Sequence, residues 1–233
     1  LSIKLTPRLK KIAEQVKYGE KVADIGTDHG YIPIYLLKNN ISPFVIAGDI
    51  NKKPLESAEN NIKKHHLSEK AETRLGSGLS ILKPGEVNTI IIAGMGGLLI
   101  NDLLTNSKEV INEVNTLILQ PMQAQSELRK YLINNGFTIE NDILVKEDHH
   151  IYEIIIAKHG IQENIDPIYY DIGFHIKNNP KPLATEFINR KIKEVKSIIK
   201  NISENSSNPS IEKLNEMKNK LRKLEEVELW LQD

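Results

Sequence analysis

The chain has 233 residues, 39% hydrophobic and 27% charged, enough for one ordinary α/β domain with an appendage or for two small domains. Its 31 basic and 31 acidic side chains cancel, so no global field draws it to nucleic acid and any basic surface must be local. Cysteine is absent, which excludes disulfides, cysteine zinc sites and a thiolate nucleophile; no run approaches the ~20 apolar residues of a bilayer span and no signal-peptide core opens the chain, so a cytoplasmic protein is expected.

The first element reads as a helix. Thr6 precedes Pro7 as an N-cap before a proline at the first helical position. Leu9, Ile12, Ala13 and Val16 then share one helical face, with Gly19 as the stop. Arg8, Lys10, Lys11 and Lys17 cover much of the rest, either as a solvated face or as a grip on phosphates.

From Lys21 an alternation sets in: strand KVADI, helix YIPIYLLKNN, strand FVIAGDI, helix PLESAENNIKKHH, strand AETRLGS, strand NTIIIAG, helix LLINDLLTNS, strand TLILQP and helix QSELRKYLINNG. Strands alternating with helices imply βαβ units and a parallel sheet covered on both faces. The nearly pure apolar runs NTIIIAG and TLILQP suit its centre. The last two strands, TIENDILVKED and IYEIIIAKH, are joined by a polar turn without a helix, so they are expected to pair as a hairpin with one strand antiparallel to the rest. A mostly parallel Rossmann-like sheet ending in such a hairpin is the arrangement of class I methyltransferases.

After Gly160 a proline- and asparagine-rich stretch reads as a connector, and we place a domain boundary there, residues 1–160 against 161–233. A helix from Leu183 to Ile202 carries Ile188, Ile192, Val195, Ile199 and Ile202 at alternating spacings of four and three. After a loop with Asn208 and Pro209 as cap and first turn, a second helix carries Ile211, Leu214, Met217, Leu221, Leu224 and Leu231. Two heptad seams joined by a turn make an antiparallel helical hairpin, a short coiled coil. It is a packing or dimerisation element or an arm for substrate; a monomer is expected, with dimerisation through the hairpin left open. Arg190, Lys191 and further lysines lean the outer face of its first helix positive.

The loop after the first strand, GTDHGY, meets the cofactor in a βαβ unit. Gly26 and Gly30 bracket Asp28, where a dinucleotide binder would carry the middle glycine of its fingerprint. An anion there repels pyrophosphate but suits a cationic sulfonium and amino group, which favours S-adenosylmethionine over a nicotinamide cofactor. Asp49 comes after the loop at about the twenty-residue spacing at which a carboxylate takes the ribose hydroxyls, or it caps the next helix. The third strand is read as ending at Ser77, near the adenine. The fourth strand ends in IAGMGG without the Asn/Asp-Pro-Pro-aromatic motif common in exocyclic amine methylation. A ring nitrogen such as adenine N1 carries no proton in the neutral base and needs no such motif; Gly94, Gly96 and Gly97 would let a flat base approach. Pyrimidine C5 methylation usually needs a cysteine adduct, and there is none.

With these residues in view, the chain resembles the TrmK family of bacterial tRNA (adenine-N1)-methyltransferases, which modify adenosine 22 with S-adenosylmethionine. The matching stretches are LTPRLKKIA, ADIGTDHGYIP, AGDINKKPLESAENNI, LGSGL, IAGMGG and LQPM, in order across residues 5–122. Ser77 departs from the acidic residue that relatives often carry. The resemblance implies cofactor binding by Asp24, Gly26, Asp28, His29, Gly30, Asp49, Ile50, Ser77 and Gly78, with Gly94 and Met95 beside the transferred methyl. Asp28 is expected to face the cationic end of the cofactor and His29 and Tyr31 the entering base, though His29 would equally bond locally at a helix start. Arg8, Lys10, Lys11, Arg190 and Lys191 are the expected tRNA contacts. His65–His66 and His149–His150 are read as surface pairs, so no metal is expected, and Gln120 either touches the base or serves the strand end. The competing readings are a class I methyltransferase with another acceptor and a nonenzymatic RNA-binding protein that keeps the fold.

Overall fold

The computed structural model describes residues 3–163, 165–205 and 211–232, and the chain divides into two compact units, Leu1–Glu163 and Asn164–Asp233. The loop read over residues 203–210, with Asn208 and Pro209, lies largely outside the described residues.

In the first unit the Thr6 hydroxyl accepts the Leu9 N–H at 3.4 Å and Pro7 opens α1 (Pro7–Ala13). The helix stops a turn earlier than its apolar spacing suggests. Gln15 and Val16 donate to Ile12 and Ala13, three residues back, so the chain tightens while Val16 stays buried. Then come β1 (Val22–Ile25), α2 (Tyr31–Lys38), β2 (Val45–Asp49), α3 (Lys52–Lys64), β3 (Ala71–Leu75), β4 (Thr89–Met95), α4 (Gly97–Thr105), α5 (Lys108–Ile111), β5 (Thr116–Pro121), α6 (Gln125–Asn134), β6 (Phe137–Glu147) and β7 (His150–His159). The short α5 has no counterpart in the sequence reading. β3 ends at Leu75, and Ser77 instead leads into a single 3-10 turn, Gly78–Ile81.

The strands of the described residues form one seven-stranded sheet in the order β3-β2-β1-β4-β5-β7-β6. β1 to β5 pair parallel, and β7 runs antiparallel between β5 and β6, as the hairpin expectation required. Every residue of β1 and β5 is buried because helices cover both faces of a parallel sheet. On one face Ile12 and Ala13 of α1 and Ile32, Leu36 and Leu37 of α2 pack with Ile91, Ile118 and Ile154. Each such large side chain contributes on the order of 1.5–3 kcal/mol by leaving water.

The hairpin carries a buried ion cluster. Arg129 of α6 donates from Nε to Asp142 at 2.8 Å and from Nη2 to Glu153 at 2.7 Å, with all three residues nearly inaccessible. At the open edge, Arg74 of β3 bridges Glu72 and Glu86, which pins the chain after the 3-10 turn.

In the second unit a short α7 (Ile168–Ile172) and a 3-10 turn at Ile176–Asn178 precede α8 (Lys181–Asn205) and α9 (Ile211–Gln232). α9 packs along α8 through Ile188, Ile192 and Val195 on one side and Leu224, Val227 and Leu231 on the other, with Lys196 reaching Glu225 at 2.9 Å. Ile211 is exposed, so the seam begins after it. Lys223 to Asp166 and Lys220 to Asp171, both at 2.8 Å, tie α9 to the segment around α7. No helix of the described residues is long and apolar enough to cross a membrane.

Candidate active site

β1 lies between β2 and β4, so the crossovers leaving β1 and β4 diverge and a crevice opens at their C-terminal ends. Two cavities occupy it. The first, about 300 Å³, is walled by Gly26, Asp49, Ile50, Ser77, Gly78 and Met95, among others. The second, about 320 Å³, is walled by Arg8, Asp24, Asp28, Tyr31 and Ile32 with their neighbours. They share Gly26, Ala93 and Gly94 as a common rim.

That rim is made of bare backbone for physical reasons. Gly26 has φ +78°, and the Met95 side-chain methyl fills the space a Cβ would need. Its N–H and that of Thr27 both donate to the Gly48 carbonyl, at 2.8 and 2.9 Å, which fixes the loop against β2. Gly94 has φ +80° and forms a bulge, because the β4–β5 register shifts between Ala93 and Met95. A bulge at a strand end re-aims the residues around it. Here it turns a glycine toward both cavities.

Asp24 is buried at the end of β1, and its carboxyl is pushed up to about 6, first by desolvation and further by the Asp49 charge. A carboxylate held against this penalty, facing a cavity, suits a cationic group. Asp49 lines the first cavity, and its Oδ1 accepts the Asn51 N–H at 2.6 Å; it thus orders the start of α3 while its carboxylate remains at the cavity wall. Asp28 is largely exposed at the mouth of the second cavity beside Tyr31.

Several expected residues sit elsewhere. His29, at φ 58°, lines neither cavity: its Nδ1 is 2.6 Å from Ser57 Oγ, its Nε2 is 3.2 Å from Asp28, and its ring packs against Tyr31 at 5.5 Å. It braces Asp28 and Tyr31. Gly30 also lines neither cavity; a Cβ there would press on Ala58 of α3 at 3.3 Å, so its glycine serves helix packing. Gly97 is buried against the backbone of Gln123 and Ala124, and Gly96 faces the Gln123 side chain, so of the three glycines Gly94 alone opens to the cavities. Ile50, Ser77, Gly78 and Met95 line the first cavity.

Arg8 does not lie on the outer face of α1. Its Nη1 donates to Gln120 Oε1 at 2.6 Å, its guanidinium stands 5.1 Å from the centre of the Tyr152 ring, and its backbone N–H donates to Glu147 at 2.9 Å. Gln120 is fully buried and reaches Arg8 rather than open space. Lys10 is exposed, Lys11 lies 3.4 Å from Glu14, Arg190 pairs with Glu186 at 2.7 Å and Lys191 covers the Phe187 ring. Leu99 and Leu103 of α4, and Asn51, also wall the first cavity, and the sequence reading gave none of the three a role in the site. Among the described residues no cluster of histidines and carboxylates could hold a metal ion.

Residues 5–155 match the family model described as Methyltransferase domain. A tRNA (adenine(22)-N(1))-methyltransferase of Bacillus subtilis strain 168 is 36% identical over 158 residues, 68% of this chain and just under two thirds (66%) of that protein. The crystal structure of the B. subtilis M1A22 tRNA methyltransferase TrmK is 30% identical with a TM-score of 0.82, covering 99% of this chain and 98% of that one. M. capricolum TrmK in complex with its natural cofactor product, S-adenosyl-homocysteine, is 28% identical with a TM-score of 0.81, covering 96% and 97%.

Proposed function

This chain belongs to the TrmK family of tRNA (adenine(22)-N(1))-methyltransferases, and we propose that it transfers a methyl group from S-adenosylmethionine to N1 of adenosine 22 in tRNA. The observation that carries this reading is the pair of cavities sharing one glycine rim: a cofactor held across the rim and a base entering from the side of Asp28 and Tyr31 meet at Gly94.

The residues fit the cofactor. Asp24 presents a buried carboxylate suited to its ammonium, Asp49 stands where ribose hydroxyls are taken, Ile50, Ser77 and Gly78 wall the adenine end, and Gly26 with Met95 holds the chain of the cofactor at the rim. When bound, S-adenosylmethionine supplies a methyl group on a cationic sulfur that the N1 lone pair can displace. No residue need remove a proton, because N1 of neutral adenine bears none. The work of the protein is alignment and exclusion of water, with Gly94 allowing close approach and Tyr31 offering a ring face to the base. The methylated base is cationic, and Asp28 stabilises the charge that moves onto it. His29 holds Asp28 and Tyr31 in place rather than touching the base.

N1 lies on the Watson–Crick edge, so a paired target must leave its partner to reach this cavity. The tRNA backbone is held by local basic groups, Lys10 and Lys11 in the first unit and Arg190 and Lys191 in the second, since the net charge is zero. The protein acts in the cytoplasm, where tRNA is, as a monomer, and residues 1–160 and 161–233 divide the labour between catalysis and RNA contact. The test is transfer of radiolabelled methyl to unmodified tRNA, with a second substrate carrying guanosine at position 22. Label on the first alone is expected; label on both, or on neither, overturns the assignment.

A further inference from the structure

The large apolar side chains that the first unit leaves in water are not scattered. Tyr31 follows β1, Ile50 follows β2, Leu75 ends β3, Leu98 and Leu99 open α4 after β4, and Met122 follows β5, so they gather at the C-terminal ends of the parallel strands. Among the described residues of this unit, the other large apolar side chains so exposed are Tyr18 and Ile161, before β1 and after β7. Single exposed apolar side chains need no explanation, whereas a gathered set marks a contact surface. Tyr31 belongs to the second cavity, and Ile50 and Leu99 to the first. Leu98 and Met122, 59% and 50% exposed, wall neither.

The backbone holds these two side chains out. The Met122 N–H donates to the Met95 carbonyl and the Gly97 N–H to the Gln123 carbonyl, both at 2.8 Å, so the loop after β5 is strapped to the start of α4. Ala124 closes that loop at φ 57°, a left-handed conformation that is costly for a residue with a Cβ, and its carbonyl fills the space beside Gly97. The Met122 sulfur lies 3.6 Å from Gln120 Nε2, and Oε1 of the same amide holds Arg8 at the wall of the second cavity, so Met122 adjoins the side from which the base enters. Asp28 stands exposed at that mouth, where it repels a phosphate but not the uncharged face of a nucleobase. Resting on the methyl-transfer reading above, we propose that Leu98 and Met122 form an apolar wedge that packs against a base beside adenosine 22 and replaces the stacking lost when the target leaves its neighbours. The two side chains grip the RNA by base faces and have no part in holding the cofactor.

The test is a cycle between protein and RNA. Methyl transfer is measured for wild type and for the double variant Leu98→Ala with Met122→Ala, on unmodified tRNA and on the same tRNA with an abasic site on either side of adenosine 22 in turn. On intact tRNA the variant should lose about tenfold in kcat/KM, because two apolar contacts are removed. On one of the abasic substrates its loss should shrink to about twofold or less, since no base remains there to pack against. Titration calorimetry should give both proteins the same affinity for S-adenosylmethionine, which also reports an intact fold. Leu98→Met with Met122→Leu, apolar and similar in size, should keep wild-type turnover. An equal loss on all three substrates overturns the proposal in favour of a general effect on the site. Full activity of the alanine variant on intact tRNA overturns it and leaves the patch to another partner, such as a protein or a second copy of this chain. If wild-type protein binds the cofactor but methylates no tRNA, the acceptor reading itself falls, and the wedge with it.

Discussion

Two arginines of the first unit, Arg129 buried and Arg8 half-buried, sit in opposite electrostatic circumstances. Arg129 is sealed between α6 and the β6–β7 hairpin with Asp142 and Glu153, each at hydrogen-bond distance. Arg8 has a neutral amide, an aromatic face and a cavity. Burial of charge is tolerable in the first case because the partners are part of the fold, whereas Arg8 is half-buried at a cavity wall with a neutral amide as its side-chain partner. The difference separates a structural ion cluster from a charged side chain at a cavity wall without reference to motif.

Breaking the paired side should have the largest effect. Arg129→Met leaves two carboxylates buried without their cation, and a loss of about 3–5 kcal/mol in urea unfolding is expected. A change below about 1 kcal/mol would mean that the carboxyls protonate at little cost and that the cluster is not compensated as described.

The unpaired side should respond in the opposite sense. The Asp24 carboxyl, ordinarily near 3.8, is raised to about 6 in the folded protein. Its contribution to the stability of the ligand-free protein is therefore full below about pH 4 and is lost as pH rises through 6, amounting to ~3 kcal/mol. Asp24→Asn should remove that slope, leave the free protein more stable than wild type at about pH 7 and abolish tight S-adenosylmethionine binding. In the wild type, cofactor affinity should fall roughly tenfold per pH unit below about 6, as Asp24 must lose its proton to receive a cation. A variant less stable than wild type at neutral pH would contradict the placement of Asp24 as an uncompensated charge.

A smaller effect is expected at the shared rim. Gly26→Ala puts a side chain at φ +78° against Met95, at a cost of about 1–3 kcal/mol. Calorimetry should show weaker cofactor binding with a modest loss of stability; undiminished binding would remove Gly26 from the site. The smallest is at the entry to α1, the helix that carries Arg8. Thr6→Ala loses a long capping bond and should cost about 0.5–1 kcal/mol in thermal unfolding, with cofactor binding close to wild type because Gln120 and Tyr152 still hold the guanidinium.

Much of the first unit was legible in the sequence. The apolar run of β5 and the helix-free link before β7 specify a buried parallel strand and a hairpin through local patterns alone, and both stand in the sheet. Element ends were less legible: α1 stops at Ala13 because of three-residue-back hydrogen bonds, and β3 at Leu75 because the chain turns into the 3-10 segment. Glycines were legible as glycines and no further. Gly26 and Gly94 bare the backbone to the cavities, while Gly30 and Gly97 make room for Ala58 and for the backbone of Ala124, and their sequence contexts do not distinguish these uses.

What the sequence alone determined was the class of fold, the parallel sheet with its antiparallel strand, and the strand-end loops where an acidic cofactor site would form, because hydrophobic period and turn chemistry are local properties. What only the tertiary structure decided was which charges remain unanswered. Arg8 looks like any basic residue of a surface helix until the sheet order brings Gln120, 112 residues away, to its guanidinium. Charge compensation is a sum over neighbours in space, and no reading along the chain can perform it.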